Sequence, residues 1–325
     1  MMVTPLAGRR LGAVAAAACI GLVCMALGFL GVAQARADAI PTSECNPTAS
    51  SSPPAPGFNP ITASAVQLAQ NNFPPRPTNS AALQAWTTAM SHATTYVPPD
   101  PVCSTVTHDA PPPGGPHSVN DTGNYAGHVM DNSYENGEDF TTATAIWTQP
   151  AVPSAAGYSN YQTAPDASFW TGLGYSAILQ AGCDSISTAN SPTYKCWTED
   201  FPLGTDWEGP KVRPGDEVYV SVTYNGNLTT TYFIEDVTTD KYTPVTHPSP
   251  FVGYRAADFI NERLGPYLPN FGSMSFQQCV GASDSGAYQL QSYNNNVDIN
   301  DSVPGATPGP VNNSNSSFPV TWEAN

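Results

Sequence analysis

Residues 168–202 read SFWTGLGYSAILQAGCDSISTANSPTYKCWTEDFP. Residues 168–172 and 177–183 alternate like two short β-strands. The second carries Ile178-Leu179-Gln180-Ala181-Gly182, which sets Gln180 on the same strand face as Ile178 and Gly182. An amide turned toward an apolar interior needs partners, because leaving it unpaired costs roughly 1–3 kcal/mol. Gln180 is therefore either a structural hydrogen-bonder or a group that waits for a ligand. Just beyond it, Cys183 and Cys196 are expected to bridge two neighbouring strands across a short loop.

The same texture extends through the C-terminal two thirds of the chain. Residues 141–149, 217–223, 229–235 and 273–280 read as strands, and Val212-Arg213-Pro214-Gly215-Asp216 reads as the turn that precedes one of them. Many short strands separated by turn signals predict an all-β sandwich or barrel over residues 119–325. Residues 40–118 differ, being Pro-rich with two helical candidates, 63–71 and 80–95. The second has Leu83, Trp86, Met90 and Thr94 at helical spacing. Pro111-Pro112-Pro113-Gly114-Gly115-Pro116 reads as a linker. A small, removable, partly helical N-terminal segment is the expectation, with a permanent extension packed on the main domain as the alternative.

Residues 1–39 have the form of an export signal. Arg9 and Arg10 precede an uncharged apolar run, and small-x-small sites follow at Ala33-Gln34-Ala35, Ala35-Arg36-Ala37 and Ala37-Asp38-Ala39. The mature chain is expected to be secreted and extracellular, with no membrane association. The full chain's net charge of -16, with only 11% charged residues, argues against nucleic acid and anionic membranes as partners. Cys19 and Cys24 leave with the leader. Cys45 with Cys103 is a second candidate pair, and Cys279 is left over in the interior.

Common hydrolase signatures are missing. The chain has no G-x-S-x-G and no H-E-x-x-H. From residue 119 onward its only histidines are His128 and His247, which are poor material for a zinc site. A Ser-His-Asp triad assembled from distant residues stays open. Asp121-Thr122-Gly123 reads as a turn. No cofactor or metal is expected.

Several short elements, in order, carry a resemblance. They are Asn124-Tyr125-Ala126-Gly127, the run Ala145-Ile146-Trp147-Thr148-Gln149-Pro150, Trp170-Thr171-Gly172, and Ile178-Leu179-Gln180-Ala181-Gly182 followed by Asp184. Trp197-Thr198-Glu199-Asp200-Phe201-Pro202, Gly215-Asp216 and Ala257-Asp258-Phe259-Ile260-Asn261-Glu262 follow. Over residues 119–325 the chain resembles the glutamic peptidases, or eqolisins. The resemblance implies an antiparallel two-sheet, concanavalin-like β-sandwich. It also implies a catalytic dyad of Gln180 and Glu262 on neighbouring strands of one concave sheet. Trp170 and Tyr125 are implied to line the substrate groove, with Asp184 and Glu199 as supporting hydrogen-bonders. Departures are present too: Tyr125 stands where the family usually has Trp, and Gly174 where its fungal members have Asp. Residues 40–118 fit the place of a propeptide, but fungal propeptides are basic and this segment holds only Arg76 and no lysine.

The implied chemistry is simple. An ionised glutamate within reach of a water takes its proton as the water attacks a peptide carbonyl. An amide N–H steadies the developing oxyanion. The ordinary glutamate pKa, about 4.3, makes an acidic optimum natural. For Glu262 taken alone, the plainer reading is a surface carboxylate paired with Arg255 or Arg263. The expected function is a monomeric, secreted, acid-acting endopeptidase. Two rivals are a glycoside hydrolase on a similar fold, which normally needs two nearby carboxylates, and a non-catalytic carbohydrate- or protein-binding module.

Overall fold

Alternation is kept where the interior requires it. In Glu217–Tyr224 (EVYVSVTY), Val218, Val220 and Val222 are buried in the central core while Tyr219 points to the other side. A computed structural model describes residues 50–78, 80–101, 119–131, 139–174, 178–201, 207–249, 253–283, 286–290, 295–299 and 305–324. Residues 1–39, read above as an export signal, Cys45, Cys103 and residues 111–116, read as a linker, lie outside the described residues.

The N-terminal part holds helices α1 (Ala65–Gln70) and α2 (Ser80–His92) and the two-residue strands β1 (Thr95–Tyr96) and β2 (Asp100–Pro101). Next come β3 (Val119–Thr122), β4 (Tyr125–Asp131), β5 (Phe140–Thr148), β6 (Asp166–Gly174), β7 (Ile178–Ile186), β8 (Thr193–Phe201) and β9 (Trp207–Glu208). These lead to β10 (Glu217–Tyr224), β11 (Thr229–Asp236), β12 (Lys241–Pro248), β13 (Ala256–Leu264) and β14 (Ser273–Ser283). The chain ends with β15 (Gly286–Gln289), β16 (Asn295–Ile299), β17 (Gly305–Pro308) and β18 (Phe318–Glu323). Helix α2 stops at His92, so Thr94 falls beyond it.

A continuous hydrogen-bonded path runs β1-β12-β11-β10-β5-β14-β18-β17-β16-β4-β13-β6-β7-β8. Its two long runs form the layers of a β-sandwich. The back layer is β12-β11-β10-β5-β14 and the front layer is β4-β13-β6-β7-β8, while β18, β17 and β16 carry the path from one to the other. Pairing is antiparallel except for β1 with β12 and β3 with β16. Trp147, Val220 and Ile234 of the back layer meet Phe169, Leu179 and Phe259 of the front layer in the central core. Cys183 and Cys196, directly opposed on β7 and β8, form the expected disulfide. Closing a loop of this length stabilises by about 3 kcal/mol. Cys279 is a buried free thiol.

Residues 50–101 pack on the outer face of the back layer. Leu68, Phe73, Trp86 and Met90 form a second core with Ile146, Tyr219, Phe233 and Tyr242. A capping box between Ser64 and Gln67 starts α1. Arg76 stacks 5.1 Å over the Trp86 ring and donates to the Ile61 carbonyl at 2.5 Å. The segment's cation is thus used inside the segment. Backbone pairing ties it further to the sandwich, through β1 with β12, Ser50 with Thr246 and β2 with β9.

Candidate active site

Strand register decides which side chains meet. On one side of β6, Glu262 lies opposite Ser168, Ile260 opposite Trp170 and Asp258 opposite Gly172. On its other side, Ser168 lies opposite Asp184, Trp170 opposite Gly182 and Gly172 opposite Gln180. β8 extends these rows with Trp197 beside Gly182 and Glu199 beside Gln180. β4 adds Tyr125 beside Glu262. Directly opposed residues share a face of the sheet. Tyr125, Trp170, Gln180, Asp184, Glu199 and Glu262 therefore all stand on the outer face of the front layer, and all are buried.

One expectation needs correcting. Gln180 and Glu262 are not on neighbouring strands, because β6 runs between them. The short connection from Gly174 to Ile178 pairs β6 with β7 as a hairpin, so β13 takes the other edge of β6. Trp170 occupies the middle of this intervening strand.

The Glu262 carboxyl is held from two sides. Oε2 accepts the indole N–H of Trp170 at 3.0 Å, and Oε1 accepts from Asn124 Nδ2 at 3.3 Å. Both partners are N–H donors, which suit an ionised acceptor. Arg255 instead pairs with Asp139 at 3.0 Å, and Glu262 is fully buried, so the surface ion-pair reading fails. Tyr125 meets Trp170 edge-on, with ring centroids 6.3 Å apart.

The neighbouring positions keep this face level. A Cβ on Gly182 would lie 2.5 Å from Trp170 Cβ, and one on Gly172 2.6 Å from the Leu179 carbonyl oxygen. Asp184 Oδ1 accepts from Ser168 Oγ and from Trp197 Nε1, each at 2.6 Å. It thereby fixes Trp197, which joins Tyr125, Trp170, Ile178 and Ile260 in the apolar cluster of this face. Burial, and then the nearby Asp184, raise Asp166 well above the usual carboxyl range. Burial, and then Asp131, push Asp258 up to about 8. Among the described residues, no group of three or more His, Cys, Asp or Glu is placed to hold a metal ion.

A distant triad finds no support around His247. His247 Nδ1 and Ser249 Oγ both contact Asp200 Oδ2 at 2.8 Å, and Tyr232 also donates to Asp200. The serine therefore bonds the aspartate rather than the histidine. The cluster is buried on the inner side of β8, the opposite side from Glu199. His128 contacts the Gly309 carbonyl at 3.0 Å.

Sequence reasoning did not assign roles to Asn124, Ser168, Trp197 or Asp258. Asp258 had a legible signal, since four residues before Glu262 puts it on the same strand face. The other three required the register.

The sequence model of the Peptidase A4 family matches residues 123–319, more than half of the chain. The chain belongs to this family. It is a hydrolase of the glutamic-peptidase type. Among solved structures it is similar to scytalido-glutamic peptidase with a transition state analog inhibitor, at 22% identity and a TM-score of 0.50, covering 62% of this chain and 98% of that one. That likeness supports the fold. It is also similar to aspergilloglutamic peptidase from Aspergillus niger, at 21% identity and a TM-score of 0.43, covering 48% of this chain and 98% of that one. No curated protein sequence matches.

Proposed function

We propose that this peptidase is a secreted endopeptidase that works in acid, with Glu262 and Gln180 as its catalytic groups. Glu262 takes a proton from the water that attacks a peptide carbonyl, then returns it to the leaving amine. Gln180 donates an amide N–H to the oxyanion that develops as the carbonyl carbon becomes tetrahedral. Water is the nucleophile and no acyl-enzyme forms.

The observation that carries this reading is the holding of Glu262 by Trp170 and Asn124 on the face that also bears Gln180. A carboxylate gripped at both oxygens by N–H groups is oriented before substrate arrives, and apolar neighbours keep competing water low. Tyr125 and Trp170 would line the groove. Asp184 would act on Trp197 and Ser168, while Glu199 would act on Gln180 beside it. Substrates are extended peptides or unfolded proteins, because the face of a sandwich sheet suits a cleft rather than a closed pocket. The enzyme acts as an extracellular monomer after loss of its leader.

Mass spectrometry tests the direct attack by water. During digestion of a denatured protein at pH 2–7, acid quenching should trap no enzyme adduct. A trapped acyl-enzyme, or activity abolished by a serine-directed reagent or a chelator, would overturn it.

A further inference from the structure

Asp258 is a buried carboxyl that the fold leaves without a partner. It is 1% exposed, and neither of its oxygens makes a hydrogen bond. Such a group weakens a folded state. Where local rules are broken in this way, function is the usual reason.

Its position points to a ligand. Asp258, Gly172, Gln180 and Glu199 form one row across β13, β6, β7 and β8. Gly172 brings no side chain, so β6 places nothing between Asp258 and Gln180 in that row. A Cβ on Gly174 would lie 2.6 Å from Asp258 Oδ2. The carboxyl thus fills volume that a larger residue at 174 would need. Burial and Asp131 keep the group protonated across the acid range. A neutral carboxyl offers an O–H donor beside a C=O acceptor. A backbone amide, which has an N–H and a C=O, complements that pair.

We propose that Asp258 is a substrate-binding residue whose carboxyl pairs with a backbone amide of an extended peptide laid across Gly172 beside Gln180. The assignment rests on reading this face as the peptide site. It adds a contact that is made equally in the ground state and the transition state, so it acts on KM rather than on kcat.

The test is steady-state kinetics on the processed enzyme at pH 4 with a quenched-fluorescence peptide, comparing wild type, Asp258→Ala, Asp258→Asn and Glu262→Gln. Asp258→Ala should raise KM about tenfold with kcat changed less than threefold, the size of one lost hydrogen bond in a dry site. Asp258→Asn, which keeps a donor and an acceptor, should recover most of that loss. The thermal midpoint of Asp258→Ala should equal or exceed that of wild type, because an unpaired polar group has been removed. An unchanged KM in Asp258→Ala, or a lowered midpoint with no recovery by Asp258→Asn, would overturn the assignment. Activity surviving in Glu262→Gln would instead refute the Gln180–Glu262 mechanism, while the KM comparison, made on wild-type Glu262, would still judge Asp258. A wild type that neither binds nor cleaves the peptide would overturn both.

Discussion

Trp170 donates its indole N–H to Glu262 Oε2 at 3.0 Å from the strand that separates Glu262 from Gln180. One side chain therefore orients the carboxylate and also forms the apolar floor between the two groups. Replacing Trp170 by Phe keeps most of the floor and removes the N–H. A hydrogen bond to a charged group contributes about 1.5–3 kcal/mol, so kcat/KM should fall roughly tenfold to a hundredfold. Kinetics beside a thermal melt check this. A variant that keeps full activity would show that the indole N–H has no part in the chemistry.

Stability should rise as the solution becomes acid. Asp258 is pushed up to about 8 by burial and then by Asp131. Glu235 is pushed up to about 9 by burial first, then by Asp240, Asp236 and Glu217. Both carboxyls keep their protons in the folded state where the unfolded chain would release them. Below the ordinary carboxyl range, holding them neutral adds no cost, and the stability present there is lost as pH climbs through about 8 and 9. The thermal midpoint should be higher at pH 4 than at pH 8, and Glu235→Gln should flatten the slope. A midpoint that rises from pH 4 to pH 8 would contradict this.

Trp86 ties the N-terminal segment to the back of the sandwich. It is 1% exposed, packs in the core shared with Tyr219 and Phe233, and donates to the Pro74 carbonyl at 3.1 Å. Trp86→Ala should cost about 3–5 kcal/mol. Because this core lies on the side of the sandwich away from Gln180 and Glu262, kcat at temperatures where the variant stays folded should be unchanged. Denaturant unfolding and single-temperature kinetics separate the two effects. A large fall in kcat with normal stability would mean that the segment acts on the site itself.

Much of this molecule was legible in the sequence. The strand around Gln180 follows from two-residue alternation, the one around Glu262 from the resemblance, and the bridge from Cys183 to Cys196 from two flanking strands and a short loop. The shared face of Glu262, Ile260 and Asp258 also follows from alternation. What alternation omits is the order of strands across a sheet, which depends on contacts distant in sequence. For that reason the place of β6 between the two groups, and the grip of Asn124 on Glu262, emerged only from the register. The N-terminal segment shows a similar limit. Its second helix was readable from Leu83, Trp86 and Met90, but the surface it covers depends on Tyr219, Phe233 and Tyr242 of strands much later in the chain.

The most direct measurement is kcat/KM for an extended peptide at acid pH in wild type, Glu262→Gln and Gln180→Ala. Loss of the general base should lower kcat/KM by about 10²–10⁴. Loss of the oxyanion donor should lower it by about 10²–10³. Both variants should keep the wild-type melting profile to within a few degrees. Activity in Glu262→Gln within tenfold of wild type would contradict the assignment of Glu262 as the base that activates water.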